Sequence, residues 1–250
     1  MGIDYKNKLI ALCSDGERVL RSNQNGVHGL LKREIPSLLG IHCLSHSFSL
    51  ATKSDLSQTF PVLDEIFHLA YRTYSYLNES VKRLGKLFEA KAEIEDLIQG
   101  LNLIKPTKIR WLSLFNSISR ITKLLKPIIQ TLKESRDLTA KSLIPYFEDP
   151  RILAWIHFLS DIAPDLKFVT TLFQDRNFNM RAAFRILKSM KENLSRKYID
   201  SFRPGHCYST FLTKFKTLGG TLLFDDFLTY INLLITNLIA RSSKNFVQTF

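Results

Sequence analysis

The sequence predicts a mainly α protein with a small α/β start, and three observations carry that prediction. Gly and Pro are sparse, 10 and 8 in 250 residues, in a chain rich in Leu, Ile and Lys, which favours helix. From residue 61 onward, apolar residues recur at three- and four-residue steps, the period of a helix with one buried face. Only two short apolar runs, Leu9–Cys13 and Leu38–Ile41, end abruptly on polar residues, as buried strands do. The expected division is an α/β part over residues 1–58 and a helical region over 59–250.

Residues 1–8 form a polar lead-in. Leu9–Cys13 then reads as a strand ending on Ser14, Asp15 and Gly16. Asn25-Gly26 signals a turn, Val27–Arg33 a short helix stopped by Pro36, and Leu38–Ile41 a second strand ending on His42, Cys43 and His46. Leu44–Lys53 is expected to leave that strand as a helix. Pro61 opens a helix over 61–78, lined by Val62, Leu63, Ile66, Phe67, Ala70, Tyr74 and Leu77. Ser80 is placed to cap the next, with Val81, Leu84, Leu87, Phe88, Ile94, Leu97 and Ile98 facing inward and Gly100 as its stop.

A basic loop from Lys105 to Arg110, containing Pro106, leads into Trp111. Ser113 is expected to cap a helix running through Leu132 and kinked at Pro127. Asp149-Pro150 combines a cap with a first-turn proline, and the helix it starts should falter near Pro164 before resuming to Phe173. Met180, Leu187, Met190, Leu194 and Tyr198 line one face of another helix. Arg203–Cys207 reads as a loop, and Ser209 onward as helix with a break at Gly219-Gly220. Internal repeats and low-complexity segments are absent.

Charge narrows the function. With 35 Lys and Arg against 23 Asp and Glu, the net charge is +12, which suits a polyanionic partner, nucleic acid before membrane. Nine cations lie between Lys105 and Lys141, and seven between Arg181 and Arg203. Such runs read either as solvated faces or as an electrostatic footprint. The three cysteines, Cys13, Cys43 and Cys207, lack a framework spacing and point to a reducing compartment. Phe224–Ala240 carries Asp225, Asp226, Asn232 and Asn237 and so reads as a buried amphipathic helix rather than a membrane span.

Candidate chemistry concentrates in three places. Asp15, at a strand end, could serve a divalent metal in phosphoryl transfer or simply bond its own backbone at the turn. Cys43 and His46 form a Cys-x-x-His pair, half of a zinc site completed only if His206 and Cys207 approach; the alternative is a polar strand–helix junction. Arg110-Trp111, after Lys105 and Lys108, suits stacking on an unpaired base, against the alternative of a core Trp flanked by solvated charge. Phosphate loops, nucleophile elbows and His-Glu-x-x-His motifs are absent.

Cys13-Ser-Asp-Gly-Glu-Arg-Val, Asn25-Gly-Val, Leu31-Lys with Pro36, His42-Cys-Leu-Ser-His46-Ser47 and Ile109-Arg-Trp-Leu-Ser113 occur in an order and spacing that resembles the RNase H-like core of hAT-superfamily transposases, above all the domesticated, transposon-derived zinc-finger-type proteins. The resemblance covers residues 3–135 and is vaguer beyond. It implies an Asp-Asp-Glu triad on an RNase H-like sheet interrupted by a large helical insertion. Asp15 would match the second Asp, Cys43 and His46 the Cys-x-x-His pair near the active site, and Trp111, preceded by Arg110, the residue that stabilises a flipped base.

The departures from that pattern are specific. Asp4 sits in the polar lead-in, Glu192 in mid-helix, and Glu17 where the family usually has a small residue. In-line transfer with two metal ions needs several carboxylates, and Asp15 supplies one. The expectation is therefore a transposase-like protein truncated at both ends, with two strands of the sheet left, catalytically incomplete, without a cofactor (Mg²⁺ or Mn²⁺ only with a full triad). The resemblance further implies residual DNA binding through Lys105, Lys108, Arg110 and Trp111 and the basic helices, and a nuclear location, otherwise cytoplasmic. A homodimer through a missing C-terminal segment, or other protein partners, is the alternative association; a membrane is not expected.

Overall fold

A computed structural model describes residues 4–51, 54–94, 98, 100–107, 111–175, 180–200, 205, 208, 209, 211 and 220–247. The start comprises α1 (Tyr5–Lys8), β1 (Ala11–Ser14), α2 (Arg18–Arg21), α3 (Val27–Glu34), β2 (Leu39–His42) and α4 (Leu44–Ala51). The rest of the described chain is helical: α5 (Ser54–Thr59), α6 (Val62–Asn78), α7 (Val81–Ile94), α8 (Trp111–Lys123), α9 (Leu125–Lys133), α10 (Leu138–Glu148), α11 (Pro150–Phe173), α12 (Met180–Leu194), a π-helical turn (Ser195–Asp200) and α13 (Gly220–Val247). The protein is thus mainly helical with two short strands.

The strands pair in parallel, with Ala11 opposite Leu39 and Ser14 opposite His42. Both begin later than the apolar pattern suggested, for local reasons. The Leu9 N–H donates to the Tyr5 carbonyl at 2.8 Å and closes α1. Leu38 belongs to the preceding turn: its N–H donates to Ile35 O at 3.0 Å and its carbonyl accepts from Lys32 Nζ at 2.6 Å. Gly40 lies directly under the His28 ring of α3, an approach that leaves no room for a Cβ. Neither strand is fully buried, and Ile10 and Leu39 are exposed. The main junction with the helical body is α4, which packs on α13, α5 and α11.

α11 is the centre of that body. Buried residues occur all round it, from Ile152 and Trp155 through Phe158 and Ile162 to Val169, as expected of a core helix rather than a surface one. Trp155, 1% exposed, meets Phe227 edge-on at 4.8 Å and Phe60 at 5.3 Å, while Phe158 stacks on Phe227 at 4.2 Å. The π-helical turn closes this cluster with Tyr198 and α13 adds Tyr230. On α13, Phe227, Tyr230, Ile231 and Leu234 face inward, and Asp225, Asp226 and Asn232 outward. No helix among the described residues is long and apolar enough to cross a membrane.

Several helix boundaries depart from the periodic reading. The expected kink at Pro127 is a break between α8 and α9, because a proline ring there cannot coexist with a helical carbonyl four residues earlier, at Lys123. Leu124 bridges it at φ −100°, ψ 14°. Pro164, by contrast, does not interrupt α11: Ser160, Ile162, Ala163 and Leu166 are buried on both sides of it, and that packing offsets the roughly 3 kcal/mol a mid-helix proline costs. Helix α10 was not expected; Asp137 caps it, accepting from Thr139 N–H at 2.8 Å. Ser113 is not the cap of α8 but lies in its first turn, where its hydroxyl accepts the Thr107 N–H at 2.6 Å.

On α7 the inner face is rotated from the expected one. Val81 is 91% exposed and Phe88 43%, whereas Lys91 is buried at 1%. Its Nζ lies 4.2 Å from the Phe88 ring centroid and donates to Leu101 O at 2.8 Å. Burial, and then the nearby Arg120 charge, lower the Lys91 pKa.

Trp155→Ala should cost about 3–5 kcal/mol of unfolding free energy. Tyr230→Phe should cost nothing measurable, since the buried Tyr230 hydroxyl has no hydrogen-bond partner among the described residues; urea unfolding of both variants checks the contrast. For Lys91, a folded-state pKa below the unfolded one means that stability is diminished below the folded pKa and recovers as pH rises through it. Lys91→Met should therefore stabilise the protein at pH 7, by a margin that narrows towards pH 10; a margin constant with pH would refute the assignment.

Candidate functional site

Parallel pairing brings the ends of β1 and β2 to the same side of the sheet, so the polar residues that stop both strands become neighbours. The ladder extends one bond beyond the strands, Cys43 N–H donating to Ser14 O at 2.8 Å. Past it, the Asp15–Gly16 turn rests on two rings. A Cβ on Gly16 would stand 3.1 Å from His42 Nε2 and 3.8 Å from His46 Nε2. The two histidine rings are themselves 5.7 Å apart.

Asp15 Oδ1 accepts the Glu17 N–H at 3.2 Å, and Ser14 Oγ donates to Asp15 O at 3.2 Å. The carboxylate thus holds the turn that leads into α2. Asp4 is engaged elsewhere, accepting from Asn7 Nδ2 at 3.0 Å, and Glu192 lies exposed on α12. Among the described residues, no group of three or more His, Cys, Asp or Glu side chains could hold a metal ion. His206 and Cys207, the other half of the conceivable zinc site, lie outside the described residues.

The pairing also brings together two residues that spacing alone did not link. Cys13 is opposite Ile41, which puts Cys43, two residues on, on the same face. Partial burial, and then the neighbouring Cys43 thiol, push the Cys13 pKa up. Cys13, exposed at the surface, is thereby held further from its thiolate form. The signal for this contact was the period-two alternation of two four-residue strands, legible only once their register is known.

The basic loop is anchored at its apolar residues. Leu103 and Pro106 are buried, and the Thr107 backbone is tied to Ser113. Lys105 is exposed, with Nζ 5.6 Å from the Tyr71 ring centroid and 5.9 Å from that of Tyr74, which directs its charge along α6. Trp111 is the first residue of α8; Lys108 and Arg110 lie outside the described residues. In the second cluster, Arg185, Lys188 and Lys191 are exposed along α12. The strand-end cluster and the cationic helices are the candidate site.

Comparison with family models, curated proteins and solved structures finds no match for this chain.

The Asp15 geometry makes a prediction about metal. Asp15→Ala should cost about 0.5–1.5 kcal/mol through the lost Glu17 hydrogen bond. Mn²⁺ should shift the melting temperature of the wild type and the variant equally. A Mn²⁺-dependent rise confined to the wild type would identify Asp15 as a ligand after all.

Proposed function

We propose that this chain is a transposase-derived protein of the hAT type, catalytically incomplete, that binds DNA through its cationic helical surface. The observation that carries the reading is the parallel strand–helix–strand unit: it sets the Asp15–Gly16 turn, through Gly16, against His42 and His46 at one sheet end, ahead of a large helical region, in the motif order that resembles that family. On this reading β1 and β2 correspond to part of an RNase H-like sheet, and the helices to its insertion domain. Asp15, on this reading, takes the place of the triad's second acid, and among the described residues no group of three or more His, Cys, Asp or Glu side chains that could hold a metal ion accompanies it. Mg²⁺ or Mn²⁺ would have work to do only beside further carboxylates. The net charge of +12 and the exposed cations of α12 support a polyanionic partner; a nuclear location follows from the family resemblance alone.

The test is binding to short DNA hairpins across a salt series. A complex whose affinity falls steeply with salt is expected; its absence would remove the DNA part of the proposal. Trp111→Ala should weaken binding to unpaired or flipped-base DNA more than to intact duplex, because a stacked base contributes about 1–3 kcal/mol. Equal losses on the two substrates would exclude the stacking role. Metal-dependent nicking of the hairpin that Asp15→Ala abolishes would show an active enzyme.

A second reading, a helical protein-interaction module of the same origin, is favoured by one feature. Ile10, Val19, Leu30 and Leu39 are 74%, 76%, 49% and 40% exposed around a sheet whose kind is ordinarily covered on both faces. Partners retained from nuclear extract after nuclease treatment would support it.

A further inference from the structure

Helix α7 begins with Lys82, Arg83 and Lys86 and has no acidic residue in its first turn. That is the reverse of what the positive end of a helix dipole favours. The loop between α9 and α10 brings Arg136 to the same place. Together with Tyr76, Ser80, Thr131, Glu134, Ser135 and Asp137, these residues line a recess of about 390 Å³.

Of the two acids of the recess, Asp137 is paired with a cation and Glu134 is hydrogen-bonded to a neutral amide. Glu134 Oε1 accepts from Gln130 Nε2 at 3.2 Å. Asp137 caps α10 and pairs with Arg83 at 3.5 Å. Arg83 is held in turn against the Tyr76 ring, its guanidinium carbon 4.3 Å from the centroid, and the Tyr76 and Ser135 hydroxyls share a hydrogen bond of 2.8 Å. The wall is therefore fixed by its own contacts. Lys82, Lys86 and Arg136 are left without an ion pair or side-chain hydrogen bond among the described residues. Lys86 is in addition partly buried.

We propose that this recess is a phosphate-binding site, in which Lys82, Lys86 and Arg136 grip the anion and the Ser80 and Ser135 hydroxyls add hydrogen bonds. The proposal rests on the DNA-binding reading for its source, a backbone phosphodiester. The arrangement fits that group: three cations from two separate elements converge on an open, polar recess wide enough for a chain-linked phosphate. Only Arg136 belongs to a cation run singled out in the sequence, that of Lys105–Lys141; Lys82 and Lys86 precede both runs.

The experiment compares the wild type, the triple variant Lys82→Gln/Lys86→Gln/Arg136→Gln, and a charge-matched control, Lys8→Gln/Arg18→Gln/Lys167→Gln, on a DNA hairpin over a salt series. The triple variant should bind at least ~10-fold more weakly and lower the slope of log affinity against log salt by about two to three, with the control changing both less. Lys82→Arg/Lys86→Arg should keep wild-type binding, which separates lost charge from lost folding. If wild type binds and the triple variant behaves as the control does, the recess is overturned while the DNA reading stands. If the wild type binds no DNA, inorganic pyrophosphate distinguishes the rest. A melting-temperature rise that the triple variant loses keeps the anion site with a free phosphate as its source, and no rise overturns the site together with the DNA reading.

Discussion

Everything in the helical body depends on Trp155 being surrounded. It lies near the start of a 24-residue helix, and its partners come from chain segments far apart: Phe60 before α6, Phe227 and Tyr230 on α13. Burial of such aromatic area is worth several kcal/mol on its own, and the edge-to-face contacts add to it. Because the contacts are long-range in sequence, they tie α13 and the segment before α6 to one face of the same helix. The same packing explains why Pro164 is tolerated within α11: the helix is held from outside rather than by its own hydrogen bonds alone.

The strand-bearing start obeys a different constraint. Its two strands satisfy each other, but a parallel pair leaves one backbone edge on each strand to be met by something else. What protects the interior side is local: α3 sits on Gly40 through His28, and Leu38 is fully buried at the turn. The side around Ile10 and Leu39 is open. Most of the cohesion of this segment is thus short-range, including exposed links such as Lys6 to Glu34 at 3.0 Å, which contribute little each.

The legible features of this chain were those with strong periodicity or unambiguous punctuation. The α6 stripe, the Asp149-Pro150 start of α11, and the four-residue spacing of Met190, Leu194 and Tyr198 all reappear as buried faces. Helix α10 is marked in the sequence chiefly by Asp137, a single residue that serves as its cap. Lys91 interrupts the apolar pattern at an inner position, where its stem packs and one carbonyl accepts from its ammonium. At the candidate site, the strand ends and their polar residues could be read directly. The Cys13–Cys43 contact and the recess at Lys82 could not, since both depend on which elements meet, and nothing local in the sequence encodes that.

One property of α4 bears on how the two parts communicate. His46, in its first turn, lies against the Asp15–Gly16 loop. Two residues on, Phe48 is buried and meets Phe173 edge-on at 5.8 Å, and Ser45 accepts from Gln174 Nε2 at 3.2 Å. A single eight-residue helix therefore touches the strand ends and the last turn of α11 at once. Close-packed interfaces shift in discrete steps rather than deform smoothly. Any displacement of the loop must either be absorbed by the histidine side chains or pass as a rigid tilt of α4 into the far end of the central helix, making α4 a lever between the strand ends and the core.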